Sequence, residues 1–368
     1  MERWRTALSL LFHARCHQSR TRKIHLKLLK LLPWVMASVL VGCGFSSPDE
    51  KLNETLPRLN LDQILPKVEP NQYCTAQMGS DLLYGLGSTL NDEDEEQHIA
   101  GRFLGASEEV KMARNCLILA APEYPRSLCL LAFVVGARPY TYDKHDAFNY
   151  LAYAAANNES CSEYVLYNVY TVGKLGQPRN QDLGMRWLER AARHGELEAR
   201  EDMVRLSSEQ GDLPKAFAWA MILGDAAIID EQKRQMNAVQ VAEGNLLYNQ
   251  LLGQVTAEQT LKKSLRKQLI AENSGDVYRN HPEALEGLST AQRLAFMANV
   301  VDTMMIYPDF SKRRQLYAYA LIARRMQATG PVVDLWQNPT LHALLTNKEL
   351  SVEDTVAKAM VILERERQ

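Results

Sequence analysis

The cysteines are the side chains of this sequence whose type and spacing could do chemistry. Six occur in 368 residues, at positions 16, 43, 74, 116, 129 and 161. A cysteine thiol can be acylated, can form a disulfide, or can bind a metal as a thiolate. Metal binding is disfavoured, because after residue 43 the sequence contains no CxxC or HxxxH spacing. We therefore expect acylation and disulfide formation, and no metal or cofactor.

Cys43 follows a short apolar stretch that itself follows a basic segment. Residues 1–43 hold eight Lys and Arg against one acid, and twelve uncharged residues separate Lys30 from Cys43. That stretch is too short to cross a hydrocarbon core of about 30 Å as a helix. A basic segment, a short apolar segment and small residues before a cleavage site are typical of a secretory signal. We expect residues 1–42 to be a signal peptide with an over-extended start.

The four residues that end at Cys43, Leu-Val-Gly-Cys, resemble the lipobox of bacterial lipoproteins. The resemblance implies that Cys43 is diacylated through its sulfur, that the chain is cut before it, and that the new amino group is acylated, for example with palmitate. Gly44 stands where an Asp would favour inner-membrane retention, so the outer membrane, on its periplasmic face, is implied. The alternative is an ordinary signal peptide, or a buried helix, in which Cys43 is incidental.

Residues 43–72 are expected to connect the lipid to the folded body. Four prolines occur in this stretch, and helical periodicity is weak. Such a composition is typical of a flexible tether. Leu61, Ile64 and Leu65 could pack against the body.

The cysteines at 74, 116, 129 and 161 form an even set in an oxidising compartment, which favours disulfides. Three connectivities are possible. Two helices are predicted on either side of the turn at residues 121–125, and they would place Cys116 beside Cys129. We therefore predict the pairs Cys116–Cys129 and Cys74–Cys161, with buried free thiols as the alternative.

An internal repeat lies between residues 126 and 225. Residues 126–158 align with residues 163–195 without a gap, and a third unit with a shorter loop begins at Ala199. A helix–loop–helix unit that repeats every 32–37 residues indicates an α-solenoid. The matched positions are Gly136 with Gly173, Tyr150 with Trp187, Leu151 with Leu188, and Ala154 and Ala155 with Ala191 and Ala192.

The best unit, residues 163–195, resembles the Sel1-like repeat family, a TPR-like group. It departs from the family pattern at Tyr167, which replaces a Gly, and at Gly184, which replaces an Ala. The resemblance implies an all-α solenoid of αα-hairpins with helical flanks. The expected repeat-core residues are Gly136, Tyr150, Ala154, Ala155, Tyr170, Gly173, Trp187, Ala191, Ala192, Gly195 and Trp219.

The regions beside the repeats are also predicted to be helical. We expect a helical flank at residues 73–125, the repeats at residues 126–228, and a helical region at residues 229–368 with a degenerate repeat and a capping helix. Within the first flank, Tyr84-Gly-Leu-Gly-Ser88 has two glycines but lacks the third of a dinucleotide-binding fingerprint. We predict a turn there.

Composition excludes several classes of function. The formal net charge is −2, with 46% hydrophobic and 23% charged residues, which is neither a disordered nor a strongly basic composition. Beyond residue 43 the balance is −9, so no nucleic-acid partner is expected. The sequence has no GxSxG, P-loop, HExxH or Rossmann motif. His194 is expected to interact with a helix dipole.

These observations predict a non-enzymatic protein that binds another protein in the periplasm and contacts the membrane through the lipid on Cys43. Rigid aromatic side chains often dominate interfaces, and the candidates for partner binding are Tyr140, Tyr142, Tyr164 and Tyr167. The family resemblance also implies two alternatives. One is an immunity or inhibitor protein against a secreted toxic effector, and the other is an enzyme or accessory factor in cell-wall processing.

Overall fold

The structure is a computed structural model that describes residues 48–68, 74–99, 108–136, 143–327 and 335–366. Within these ranges the protein consists of 17 α-helices and two short 3-10 helices, with no strand. The predicted all-α fold class is confirmed. In the same ranges, no helix is both long and apolar enough to span a membrane. The predicted lipidation site, Cys43, lies outside the described residues.

The first four helices precede the predicted repeats. They are α1 (Pro48–Asn53), α2 (Leu61–Ile64), α3 (Ser80–Ile99) and α4 (Glu108–Ala120), with a 3-10 helix at Ala76–Met78. The segment Tyr84–Ser88, predicted as a turn, lies inside α3, so that prediction is wrong. The reason is tertiary: both of its glycines meet atoms of neighbouring helices, and close packing outweighs the low helix propensity of Gly.

The next six helices pack as consecutive antiparallel pairs. They are α5 (Arg126–Gly136), α6 (Lys144–Ala156), α7 (Ser160–Val172), α8 (Gln181–His194), α9 (Leu197–Glu209) and α10 (Leu213–Leu223). The pairs α5–α6, α7–α8 and α9–α10 are each in close contact, and α6 contacts α7 as α8 contacts α9. The result is a row of three hairpins.

The ends of these helices follow from their sequence. The Asp143 carboxylate accepts hydrogen bonds from the backbone N–H groups of His145 and Asp146 and so caps α6. Gly173 ends α7 at φ 82°, and Gly195 ends α8 at φ 101°. This left-handed conformation is inexpensive only for Gly. Each glycine therefore sets where a helix stops and the chain reverses.

The aromatic residues and alanines expected in the repeat core are buried, whereas Gly136 and Gly195 are half-buried and Gly173 is exposed. The Trp187 and Trp219 side chains are fully buried, as is that of Tyr150. The alanines at 154, 155, 191 and 192 have no exposed surface. Small residues bring the helices together: a Cβ added to Gly136 would lie 2.7 Å from the Cβ of Ala147 on the next helix.

Seven helices complete the described chain. They are α11 (Ala226–Arg234), α12 (Ala238–Leu252), α13 (Glu258–Asn280), α14 (Thr290–Ile306), α15 (Arg313–Gln327), α16 (Pro339–Thr346) and α17 (Val352–Glu366), with a 3-10 helix at Pro282–Ala284. Helix α12 packs on α10, and α14 to α17 belong to a second hydrophobic core. In that core the Phe310 and Trp336 rings stack with centroids 4.4 Å apart.

Helix α13 turns back along the molecule to α3. Near its start, Leu261 meets Gly195 at the end of α8, and the Thr256 N–H donates to the Arg193 carbonyl over 2.9 Å. Further along, Gly275 crosses Gly85 so closely that a Cβ on Gly85 would lie 1.9 Å from the Ala271 carbonyl oxygen. The C-terminal region therefore packs against the N-terminal flank.

The disulfides pair differently from the prediction. Cys74 is bonded to Cys116 and Cys129 to Cys161, with Cα–Cα distances of 5.1 and 6.1 Å. Cysteines do form disulfides, but the predicted pairs Cys116–Cys129 and Cys74–Cys161 are wrong. Although α4 and α5 are neighbours, Cys116 faces the segment before α3 and Cys129 faces the first turn of α7. Adjacency of two helices does not determine which way each side chain points.

Residues 48–68 pack against the row of hairpins over more of their length than the expected tether, and the predicted packing of Leu61, Ile64 and Leu65 is confirmed. Leu52 and Leu56 are buried in the main hydrophobic core. Arg193 donates two hydrogen bonds to the Asp49 carboxylate, and Arg190 donates to the side chain of Asn53. Helix α1 thus packs against α8 through ionic as well as apolar contacts.

Candidate interaction surface

The two described candidate tyrosines lie together on α7. The Tyr164 and Tyr167 ring centroids are 5.9 Å apart, and both side chains are half-buried. Tyr164 packs on the core around Trp219, and Tyr167 packs on that core and on the main one. Each tyrosine therefore contributes to packing and also presents an edge to solvent. Tyr140 and Tyr142 lie outside the described residues.

A hydrogen bond joins this tyrosine pair to the first helix of the next hairpin. The Tyr164 hydroxyl donates to an Asp202 oxygen on α9 over 3.0 Å. The second Asp202 oxygen accepts from Arg205 over 2.8 Å, and Arg205 also donates to Glu209 over 2.9 Å. Because α7 and α9 are corresponding helices of neighbouring hairpins, these side chains form one continuous surface.

The surface is acidic. Burial raises the pKa of Glu201, and the negative charges of Glu198, Asp202 and Asp225 raise it further. The effect of these three charges on Glu201 indicates that the carboxylates share one region of negative potential. We call the surface the tyrosine–acid patch and define it by six residues, Tyr164, Tyr167, Glu198, Glu201, Asp202 and Arg205.

The tyrosine hydroxyls of the patch remain protonated at neutral pH. Burial, the hydrogen bond to Asp202 and its charge all raise the pKa of Tyr164. Burial also raises the pKa of Tyr167, with Asp202 acting in the same direction and Arg205 opposing it. A neutral phenol beside carboxylates can contact a cation or donate a hydrogen bond. The patch is chemically suited to bind a basic surface and not to transfer protons.

Sequence reasoning selected the tyrosines by type but missed their acidic neighbours. Two features of the sequence point to these acidic residues. Asp202 and Arg205 are three residues apart, which is the spacing of an ion pair on one helix face. The repeat offset of 37 also carries Tyr164 onto Glu201, one residue before Asp202.

A second polar cluster, centred on Glu163, is buried inside the α7–α8 hairpin. Its carboxylate lies 2.9 Å from the Arg190 Nε and 2.9 Å from the His194 Nδ1. Burial raises the pKa of Glu163, while His194 and Arg190 oppose that rise. His194, expected to interact with a helix dipole, thus has a specific carboxylate partner. Because Glu163 and Arg190 have no exposed surface, we assign this cluster a structural role.

One group of possible metal ligands lies among the described residues, and its chemistry argues against a metal. Cys129, Glu159 and Cys161 are close enough together to hold an ion. The two cysteine sulfurs are joined in a disulfide, so neither is available as the thiolate that a metal requires. The Glu159 carboxylate instead caps α7 by accepting from the backbone N–H groups of Cys161 and Ser162.

Comparisons with known proteins do not identify a family. No protein-family model matches the chain, and neither a curated protein nor a solved structure matches it.

Proposed function

We propose that this protein is a lipid-anchored, Sel1-like repeat protein of the periplasm that acts as a non-enzymatic scaffold for protein–protein interaction. Its partner is a protein with a basic surface. Cys43 carries the lipid, and the outer membrane is the site of attachment. The row of hairpins holds the partner near the membrane.

The observation that carries this proposal is the tyrosine–acid patch. It combines two rigid aromatic side chains with several carboxylates, the side-chain types that favour anchoring and electrostatic complementarity at interfaces. Two neighbouring hairpins contribute to it, and the Tyr164–Asp202 hydrogen bond connects them. A basic partner would also be attracted at long range by the −9 balance of the chain beyond residue 43.

Rigidity supports binding by this surface. Glu163 and Arg190 fix each other's position within hairpin α7–α8 as a buried ion pair, and the Cys129–Cys161 disulfide joins α5 to α7. A surface that is already ordered loses less conformational entropy when it binds. The proposed mechanism is therefore geometric: pre-positioned side chains meet a complementary partner without chemical change.

Affinity capture from solubilised envelopes tests the partner. Wild-type protein is compared with Glu201→Lys and with the matched control Glu364→Lys, which makes the same charge change on α17. We expect a protein with a basic surface that is recovered with wild type and the control but is reduced about tenfold with Glu201→Lys. Equal recovery with all three proteins, or an acidic partner, would contradict the proposal.

The lipid anchor has a separate test. Cys43→Ala should abolish palmitate labelling and release the protein from the membrane fraction, because acyl chains provide the membrane affinity. Unchanged labelling of the variant would exclude Cys43 as the lipidation site while leaving the partner proposal open to its own test.

A further inference from the structure

A groove separate from the tyrosine–acid patch lies between the N-terminal flank and the C-terminal region. It has a volume of about 580 Å³ and is bounded by α3, the turn after α4, α13 and the start of α14. Ligand-binding clefts commonly measure about 300–1,000 Å³. The size of the groove therefore suits a small ligand or a few residues of a peptide.

The floor of the groove is apolar. Leu83 and Ile270 are buried beneath it, and Leu119 and Leu294 are half-buried along its length. Contact with these side chains would remove apolar surface of a ligand from water, which is favourable in proportion to the area buried. The groove thus provides affinity for an apolar group.

One wall of the groove is basic. Lys263 and Lys267 lie one turn apart on α13, both are exposed, and the Lys267 ammonium lies 4.1 Å from the centre of the Tyr124 ring. Among the described residues, neither lysine forms an ion pair. Of the two acids that line the groove, Asp81 forms an ion pair with Arg293, and Glu123 accepts a hydrogen bond from the Ser80 hydroxyl.

The spacing of these lysines favours an extended acidic peptide. Residues four apart on a helix have Cβ atoms about 5–6 Å apart, and alternate residues of an extended chain are about 6.6 Å apart. Two carboxylates separated by one residue could therefore each meet a lysine. An open groove with one charged wall also suits a continuous chain better than an enclosed small molecule.

We propose that this groove is a second binding site, which takes an extended peptide segment of a partner protein with two acidic residues at alternate positions and a neighbouring apolar side chain. The carboxylates pair with Lys263 and Lys267, and the apolar side chain lies on the floor of the groove. This site is opposite in charge to the tyrosine–acid patch and does not depend on it.

Peptide selection followed by titration tests the site. Phage-displayed random heptapeptides are selected on the full chain, and the enriched peptides are labelled and titrated by fluorescence anisotropy. We expect enriched peptides with acidic residues at alternate positions beside an apolar residue. Their affinity should fall about tenfold for Lys263→Glu and for Lys267→Glu, and it should weaken with salt.

Two controls make the result specific. Lys262→Glu makes the same charge change at a lysine paired with Glu258 on the same helix, and it should leave the affinity within about twofold. Peptides with Asn and Gln in place of the acids should bind weakly to wild type. The proposal is overturned if no peptide is enriched, if enriched peptides lack acids, or if the Lys263 and Lys267 variants bind as wild type does.

Discussion

Glu163 and Arg190 form a fully buried ion pair within the α7–α8 hairpin. Neither side chain has exposed surface, and Arg190 also donates to the Ala155 carbonyl and the Asn158 side chain. Burying two charges is costly, so each depends on the other and on these hydrogen bonds. Removing one partner should therefore leave the other buried without compensation.

We predict that Glu163→Gln lowers the free energy of unfolding by about 3 kcal/mol or more, because Arg190 remains charged and buried. The matched control is Glu209→Gln, which removes an exposed ion pair with Arg205 and should cost about 0.5 kcal/mol or less. Urea denaturation of both variants measures the difference. Equal losses of stability would contradict the assignment of Glu163 as a buried structural charge.

The disulfide pairing gives a second prediction at this scale. Proteolysis without reduction should yield linked peptides for Cys74–Cys116 and Cys129–Cys161, as identified by mass spectrometry. Replacing both Cys129 and Cys161 by Ala should lower the free energy of unfolding by about 3 kcal/mol, because a cross-link restricts the unfolded chain. A peptide that joins Cys116 to Cys129 would contradict the structure.

The sequence could predict which cysteines form disulfides but not how they pair. Four cysteines in an oxidising compartment are sufficient to expect two bonds. The pairing depends on the rotation of each helix about its axis, which positions Cys129 toward α7 and not toward α4. The patch shows a milder form of this limit: Tyr164 was predictable by type and the repeat offset leads close to Asp202, but the hydrogen bond between them depends on how two hairpins stack.

Helix α1 depends on both charge and apolar contact for its position on α8. It has only six residues, and it is held on α8 by the buried Leu52 and by the contact between Asp49 and Arg193. Burial acts to raise the pKa of Asp49, but the hydrogen bond and charge of Arg193, with Arg190 and His194, outweigh it and lower that pKa below 3.8. Docking of α1 should therefore depend on pH.

We predict that docking of α1 is strongest above pH 3.8 and weakens as the pH falls through the lowered pKa of Asp49, while the buried Leu52 continues to hold the helix. A carboxyl group whose pKa is depressed on docking favours the docked state only while it is ionised. Hydrogen exchange of residues 48–56, corrected for intrinsic rates, should show protection at pH 6 that is reduced at low pH. Asp49→Asn should weaken protection at pH 6 and remove this dependence. Equal protection of the wild type from pH 6 to low pH would contradict the predicted pH dependence of docking.

Helices α3 and α13 cross at a close contact between Gly85 and Gly275. A side chain on Gly85 would meet the Ala271 carbonyl oxygen at 1.9 Å, so the two helices would have to separate. We predict that Gly85→Ala lowers the free energy of unfolding by at least about 2 kcal/mol, an overpacking effect. The control is Gly253→Ala, where the nearest atom is 3.6 Å away. Thermal unfolding measures both, and similar melting temperatures for the two variants would contradict the crossing.

This crossing also helps to explain why the predicted turn at Tyr84–Ser88 is instead part of a helix. Two glycines within five residues favour a turn locally. Gly85 packs in α3 against Gly275 of α13, which lies far along the chain, whereas Gly87 packs against Leu117 of α4, the next helix. Local patterns predicted the hairpins of residues 126–223, because contacts there are mostly between neighbouring helices, but they contained no signal for a helix that returns to the start.

At the scale of the whole molecule, a row of hairpins is joined to a C-terminal core by the return of α13. The hairpins present the acidic tyrosine–acid patch, and the junction forms the groove with the basic wall. The sequence predicted an acidic, all-helical body and an internal repeat. It could not predict the groove with the basic wall, because that groove combines residues from distant parts of the chain, such as Tyr124 and Lys267.

The most direct test of the proposed scaffold function is photocrosslinking in intact cells. A photoactivatable phenylalanine analogue is introduced at Asn168, an exposed position on α7 beside Tyr167, and for comparison at Ala357, an exposed position on α17. We predict that Asn168 yields a discrete crosslinked protein with a basic surface, and that Glu201→Lys in the same chain abolishes it. No adduct at Asn168, or the same adducts at both positions, would contradict the claim that the tyrosine–acid patch binds a partner.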